Sequence, residues 1–208
     1  RDVRKMVFSY LTPYDRKVVM HAHNSKKRYV LDEEFSWYCA ENGYLELLKW
    51  ARKHGCPWDE RTCYHAAENG HLGVLQWAHE NGCPWDPAPL LRAAAKSNCL
   101  DTFKYACSQG CQLTERIPKI TSNKNNLDML KFAVGEGCQL SLQVAINAAQ
   151  NDNLEMLKYA VDKGCHLNEE VAALAATNGN FEMLKYIYAV EQDNRVNRVD
   201  ISVDVMVA

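Results

Sequence analysis

The sequence predicts an all-α fold, an α-solenoid of stacked helix-turn-helix repeats, and three observations lead to it. Five cysteines, each directly after a glycine, follow one another at intervals of 27, 28, 27 and 27 residues: Cys56, Cys83, Cys111, Cys138 and Cys165. Apolar residues before each Gly-Cys pair recur with helical spacing. A side chain able to cap a helix stands three residues after each cysteine. A unit of this length cannot bury its own apolar face, so neighbouring units must stack.

The second helix of each unit is predicted in the apolar run before the glycine. In the first complete unit this run contains Leu45, Leu47, Leu48 and Ala51. The following glycine, Gly55, stands where a helix needs a residue in the left-handed conformation, which glycine adopts without a steric penalty. The helix is therefore expected to end there.

The first helix of each unit is predicted to begin at a Ser, Thr, Asp or Asn side chain, whose oxygen accepts the free amides of a first turn. This helix is expected to be short, about eight residues, and several copies end in alanine pairs that let neighbouring units approach closely. The predicted caps are Asp32, Asp59, Asp86, Thr114, Ser141 and Asn168.

The segment TCYHAAENGHLGVL from Thr62 to Leu75, followed by NGCPW, resembles the ankyrin repeat, whose usual form reads TPLHxAAxxGHxxVVxxLLxxGA. The resemblance covers residues 29–190 and implies about five units, read as one repeat domain. Ankyrin units have about 33 residues, and these lose about six where the family places its projecting β-turn finger. The finger is therefore expected to be reduced or absent. Short units of this kind look like the ankyrin arrays of large DNA viruses and some protists.

Composition excludes several classes of protein. The 208 residues are 47% hydrophobic and 24% charged, with a formal net charge of −2. This balance does not suit a protein that coats nucleic acid by charge. No apolar run approaches the roughly 18 residues of a membrane-spanning helix. We therefore expect neither a nucleic acid nor a membrane as partner. We also expect the protein to be a monomer.

Residues 1–28 differ from the rest, with eight basic and two acidic residues. This segment resembles an F-box, whose pattern runs roughly LPxxVxxxIFSYLxxxDLxxxxxVxKxW. Val3, Val7, Phe8 and Leu11 occupy matching apolar positions. The resemblance implies that these four side chains bind a Skp-type adaptor of a cullin-RING ubiquitin ligase. Two alternatives remain: an N-terminal cap for the repeats, or attachment to nucleic acid through the local charge of +6.

The histidines and cysteines include zinc-type ligands in one short span, His54, Cys56, Cys63 and His65. The repeated cysteine, however, occupies the place of a small buried alanine in ankyrin units, and free cysteine behaves as a small apolar side chain. No metal or other cofactor is therefore expected. Reduced structural thiols are typical of an intracellular protein, cytoplasmic or nuclear.

Binding of a client protein is the function that the repeats predict, and no catalytic motif is present. The candidate side chains lie on the short first helices, expected on the concave side of the solenoid. They are Trp37, Tyr38, Glu41, Tyr64, His65, Glu68, Asn69 and Lys96. Together with the F-box resemblance, this predicts a substrate-recruiting adaptor of a ubiquitin ligase. The alternative is an ankyrin-type scaffold or host-interaction protein without a ligase link.

Two other positions complete the predictions. Trp58 and Trp85 are replaced by leucine in later units, so the position is interpreted as core.

In the C-terminal tail, 191–208, apolar residues alternate from Ile201 to Val207, which predicts a strand-like segment.

Overall fold

The structure, a computed structural model, describes residues 32–192. These residues form twelve α-helices and contain no strand, which confirms the predicted all-α class. The helices are α1 (Glu33–Glu41), α2 (Leu45–Lys53), α3 (Glu60–Glu68), α4 (Leu72–Glu80), α5 (Pro87–Lys96), α6 (Leu100–Ser108), α7 (Arg116–Asn123), α8 (Leu127–Gly135), α9 (Leu142–Gln150), α10 (Leu154–Asp162), α11 (Glu169–Thr177) and α12 (181–192).

Consecutive helices form antiparallel pairs, six in the part of the chain that the structure describes. The expected number of about five was too low because it relied on Gly-Cys pairs, and the pair α11 and α12 is not followed by one. The chain divides into two compact units, with described ranges 32–112 and 113–192. Within unit 1 the first helices α1, α3 and α5 pack side by side, and within unit 2 α7, α9 and α11 do the same.

Four of the six predicted N-caps are confirmed by a bond from a backbone N–H to the side chain. The accepting residues are Asp32, Asp59, Asp86 and Asn168, at 3.0 to 3.2 Å. Ser141 precedes α9 without such a bond.

The cap predicted at Thr114 is wrong, because α7 begins at Arg116 with Glu115 before it. A helix starting at Thr114 would need the N–H of residue 118 to donate to the Thr114 carbonyl. Pro118 has no N–H, so that bond cannot form. The Thr114 carbonyl instead accepts the N–H of Ile117 at 3.0 Å.

The predicted glycine caps are confirmed: the glycine of each Gly-Cys pair, from Gly55 to Gly164, has φ between +81° and +96°. A second set of left-handed residues, which the repeat pattern did not predict, lies in the turn between the two helices of every pair. Asn and Asp tolerate this conformation better than other side chains. The six residues are Gly43, Gly70, Asn98, Asn125, Asp152 and Gly179, with φ between +55° and +72°.

Two constraints favour glycine at position 43: its φ of +72° and the lack of space for a Cβ atom. A Cβ on this residue would lie 2.8 Å from Nδ1 of His71, which belongs to the next pair. The His71 ring is placed there because its Nε2 hydrogen-bonds to the Glu41 carbonyl oxygen at 3.0 Å. His71 thus ties the second pair to the turn of the first.

The residue before each second helix makes further ties in unit 2. The Asn153 side-chain oxygen accepts the N–H of Met156, and its Nδ2 donates to the Asn125 Oδ1 at 2.7 Å. Asn180 caps α12 and donates to the Asp152 Oδ1 at 2.6 Å. These amides join each pair to the turn of the pair before it.

Small side chains at the ends of the first helices are buried as expected, with one exception. Ala66, Ala67, Ala94, Ala95, Ala148, Ala149 and Ala175 are at most 1% exposed, whereas Ala176 is exposed. The connections between pairs contain only six or seven residues each, such as 54–59 and 109–115, and no strand. The expected loss of the finger is confirmed.

Replacing Leu130 by Ala should lower the free energy of unfolding by about 2 to 5 kcal/mol. Leu130 is fully buried against Val144 and Met156 in unit 2, so the change leaves a cavity. The matched control is Leu142→Ala in the same unit, where the side chain is 38% exposed, and it should cost less. Urea unfolding of both variants measures the difference, and equal losses would contradict the assigned core.

Replacing Gly43 by Ala should cost about 1 to 2 kcal/mol for the left-handed backbone and about 1 kcal/mol more for the lost His71 bond. Gly55→Ala, with φ +83° and no atom near its Cβ, should cost only the first of these. In a His71→Ala background the two glycine variants should become equal in urea unfolding. Equal costs already in the wild-type background would refute the role of His71.

Candidate functional site

The first helices of unit 1 bring four predicted binding residues together across two repeats. The ring of Trp37 on α1 lies 5.3 Å from the ring of His65 on α3, centroid to centroid. Tyr64 meets the same imidazole edge-on at 5.5 Å. The Glu68 carboxylate, one turn further along α3, lies 3.8 Å from His65 Nδ1. We call these four residues the aromatic cluster.

The carboxylate of Glu68 holds the phenol of the cluster in place. The Tyr64 hydroxyl donates a hydrogen bond to Glu68 Oε1 at 3.0 Å. Partial burial and this carboxylate raise the pKa of Tyr64, while Arg92 acts in the opposite direction. The phenol therefore remains protonated at neutral pH and serves as a donor. The cluster stays accessible, since the His65 and Glu68 side chains are 24% and 38% exposed.

The other four predicted binding residues lie on or directly after the first helices of unit 1. Tyr38 faces Tyr44 at a centroid distance of 6.3 Å. Glu41 has an exposed side chain, and its carbonyl oxygen accepts the His71 bond. The Asn69 amide donates to the His65 carbonyl and so caps the end of α3. Lys96 is exposed in the last turn of α5.

The interpretation of Trp58 and Trp85 as core is wrong, since both are half-buried at the ends of the connections. The guanidinium of Arg52 lies over the Trp58 ring at 3.9 Å, and Trp77 approaches that ring edge-on at 5.7 Å. Trp85 stacks on His79 at 3.8 Å. The change from Trp to Leu in later repeats could have indicated this incomplete burial. A tightly packed core position does not accept side chains of such different size.

A cavity of about 450 Å³ lies between α3 and the start of α5 in unit 1. Its apolar walls are formed by Tyr64, Pro84, Trp85, Pro89 and Leu90. The sequence analysis did not predict it, because its walls come from a connection and from two different repeats. It shares Tyr64 with the aromatic cluster.

The repeated cysteines do more than fill space. Four of the five thiols donate to the carbonyl oxygen 24 residues earlier, at the start of the first helix of the same pair. Burial raises the pKa of Cys56, Cys138 and Cys165, so these thiols remain protonated donors. The bonds run from Cys56 to Asp32 (3.2 Å), Cys83 to Asp59 (3.3 Å), Cys138 to Thr114 (3.8 Å) and Cys165 to Ser141 (3.3 Å).

The four zinc-type residues are engaged separately. His54 Nδ1 hydrogen-bonds to the Trp50 carbonyl at 2.8 Å, and His65 belongs to the aromatic cluster. The Cys63 thiol bonds to Cys83, which with burial raises the pKa of Cys63. Within residues 32–192, no three His, Cys, Asp or Glu side chains form a group that could hold a metal ion.

The first helices of unit 2 present a different surface, in which amides make contacts between repeats. Asn147 Nδ2 donates to the Lys119 carbonyl and to the Ser122 hydroxyl. Asn151 and Asn178 donate to carbonyl oxygens 29 residues earlier, at 3.0 and 2.8 Å. These side chains are used within the array.

The structure is similar to a solved repeat domain. It matches the crystal structure of the human ASB11 ankyrin repeat domain with a TM-score of 0.62 and 15% identity, over 74% of this chain and 82% of that chain. The chain has the ankyrin-repeat fold. No protein-family model matches its sequence, and no curated protein matches it either.

Two further predictions fall on residues outside 32–192. The F-box-like segment 1–28, with Val3, Val7, Phe8 and Leu11, lies outside the described residues, as does the alternating tail. Across 32–192, every helix is too short or too polar to cross a membrane.

Proposed function

We propose that this chain is a protein–protein interaction module whose client protein contacts the first-helix face of unit 1. The observation that carries the proposal is the aromatic cluster, Trp37, Tyr64, His65 and Glu68, which is built from two neighbouring repeats and remains accessible. Tyr38, Glu41 and Asn69 extend the proposed surface along α1 and α3, and Lys96 extends it onto α5.

The physical chemistry of the cluster favours binding of a protein. Trp and Tyr are enriched among the residues that dominate interface energies. Here the rings are already held by one another and by the bond from Tyr64 to Glu68. Binding of a partner would therefore cost little side-chain entropy in this cluster, and such a cost weakens association. The first-helix amides of unit 2, by contrast, already bond within the array.

We propose that binding rather than catalysis is the activity, and that the protein acts as a monomer in the cytoplasm or nucleus. All nine cysteines are free thiols, which suits a reducing compartment. The imidazole of His65 lies between the rings of Trp37 and Tyr64 and the carboxylate of Glu68, and none of these three neighbours is a serine, cysteine or threonine nucleophile. No cofactor, membrane or nucleic acid is part of the proposal.

A capture experiment tests the client-binding face. Tagged wild type, the double variant Trp37→Ala/His65→Ala and the control Lys119→Ala are incubated with cell lysate, and the bound proteins are identified by mass spectrometry. Lys119 is exposed on the first helix of a unit 2 pair, at the position that corresponds to Trp37. At least one protein should be captured by wild type and control and lost with the double variant. Identical sets from three chains of equal melting temperature would contradict the proposal.

The finer proposal is that the chain recruits this client to a cullin-RING ubiquitin ligase through residues 1–28. The support is the F-box-like pattern of Val3, Val7, Phe8 and Leu11. The alternatives are a cap for the repeats and a scaffold or host-interaction protein without a ligase link.

The variant Val7→Asp/Leu11→Asp distinguishes these. In the adaptor reading it should abolish binding of a purified Skp-type adaptor and leave the melting temperature nearly unchanged, because the buried apolar area is then intermolecular. A cap would give no adaptor binding in wild type and a clear fall in melting temperature of the variant. The second result would leave only the interaction module.

A further inference from the structure

The cavity between α3 and α5 has walls that are fixed before any ligand enters. The Trp85 ring stacks on His79 at 3.8 Å with an interplanar angle of 14°. His79 Nδ1 in turn hydrogen-bonds to the Tyr105 hydroxyl at 3.0 Å. Across the cavity, the Tyr64 hydroxyl is held by Glu68. Two aromatic rings therefore line a space of about 450 Å³, within the range of small-ligand sites.

Several hydrogen-bond donors around this cavity are already engaged. Arg61 forms an ion pair with Asp59, with Nη2 at 2.7 Å and Nε at 2.8 Å from the same carboxylate oxygen. The first turn of α5 begins Pro87-Ala88-Pro89, so two of its three residues lack an N–H. The remaining N–H, of Ala88, donates to Asp86 Oδ1. This helix N-terminus is therefore not available to an anion.

The acceptors, in contrast, remain open. Glu60 and Asp86 both line the cavity, and within residues 32–192 neither carboxylate has a Lys or Arg nitrogen within 4 Å. Asp86 uses one oxygen for its cap and keeps the other. With Arg61 neutralised by Asp59, these two carboxylates leave a negative charge beside two aromatic rings. Cations are attracted by both features.

We propose that this cavity binds a cationic side chain, lysine or arginine, presented by an extended segment of the protein partner. The rings of Tyr64 and Trp85 would flank the aliphatic stem and the charged group, and Glu60 and Asp86 would accept its N–H donors. The proposal deepens the proposed function, on which it rests for the partner being a protein.

The test uses short peptides and so does not depend on finding the client. Acetyl-Gly-Arg-Gly-amide and its Lys, citrulline and Glu counterparts are titrated at low salt into the ¹⁵N-labelled chain. The Arg and Lys peptides should shift the Trp85 indole signal and the amides of Tyr64 and Leu90 at millimolar concentration. Citrulline has nearly the same shape without the charge, and it should bind at least about threefold more weakly.

Three variants assign the binding to this cavity. Glu60→Gln and Asp86→Asn should each weaken the Arg peptide about two- to fivefold, and asparagine preserves the cap of α5. Trp85→Leu should weaken it about tenfold, and Leu113 occupies the corresponding position in the next repeat, so leucine suits the fold. The matched control is Glu169→Gln, at the same position of α11 in unit 2, and it should have no effect.

The proposal is overturned if citrulline binds as well as arginine, if the Glu peptide binds better, if the control weakens binding as much as Glu60→Gln, or if no peptide shifts Trp85. Its failure and that of the client-binding proposal are distinguishable. The lysate experiment changes Trp37 and His65, which do not line the cavity, and the peptide experiment leaves both in place.

Discussion

Each pair of helices depends on one residue in the left-handed conformation between them. This residue ends the first helix and reverses the chain within a few residues, so the two helices lie antiparallel. The left-handed residue also places the side chain of the residue that follows it so that this side chain can bond to the neighbouring pair. Where the left-handed residue is Asn or Asp, its own side chain can accept such a bond. His71 reaches the turn at Gly43 in this way, and Asn153 and Asn180 reach the turns at Asn125 and Asp152. Packing of the alanine-rich helix ends follows from that alignment.

The same turns explain why the two units differ in the surface they offer. In unit 2 the side-chain amides of the first helices are used between repeats, as Asn147 and Asn151 illustrate. In unit 1 the tie between the first two pairs is made by His71 at the turn. The first helices there carry Trp37 and His65, which contact each other across repeats and still reach the surface. The side chains that we propose for recognition in unit 1 are therefore different from His71, which ties the first two pairs together.

Much of this fold was predictable because the repeated residues mark the start of each first helix and the end of each second helix. The Gly-Cys pairs located the second-helix ends, and Asp32 or Asp59 located first-helix starts. Thr114 failed because a single proline three residues into the helix, Pro118, changes which backbone bond can form, and a repeat average hides such a residue. The left-handed turns within pairs were missed because the residue at this position is Gly, Asn or Asp in different repeats, so no single residue type recurs. The cavity was missed because it joins Tyr64 and Trp85, which are distant in the sequence.

The short connections have a consequence for where a partner can be recognised. An ankyrin unit of ordinary length carries a projecting finger between its pairs, and here six or seven residues leave no room for one. Side chains of a connection can then lie directly beside the first helices, as Trp85 does next to Tyr64 and Leu90. Only the first two connections place a tryptophan there, Trp58 and Trp85, and each is held by a neighbouring cation or imidazole. Leucine replaces tryptophan in the later connections. This difference is a further reason to propose unit 1 as the binding surface, because there the aromatic cluster and the acceptor-lined cavity share Tyr64.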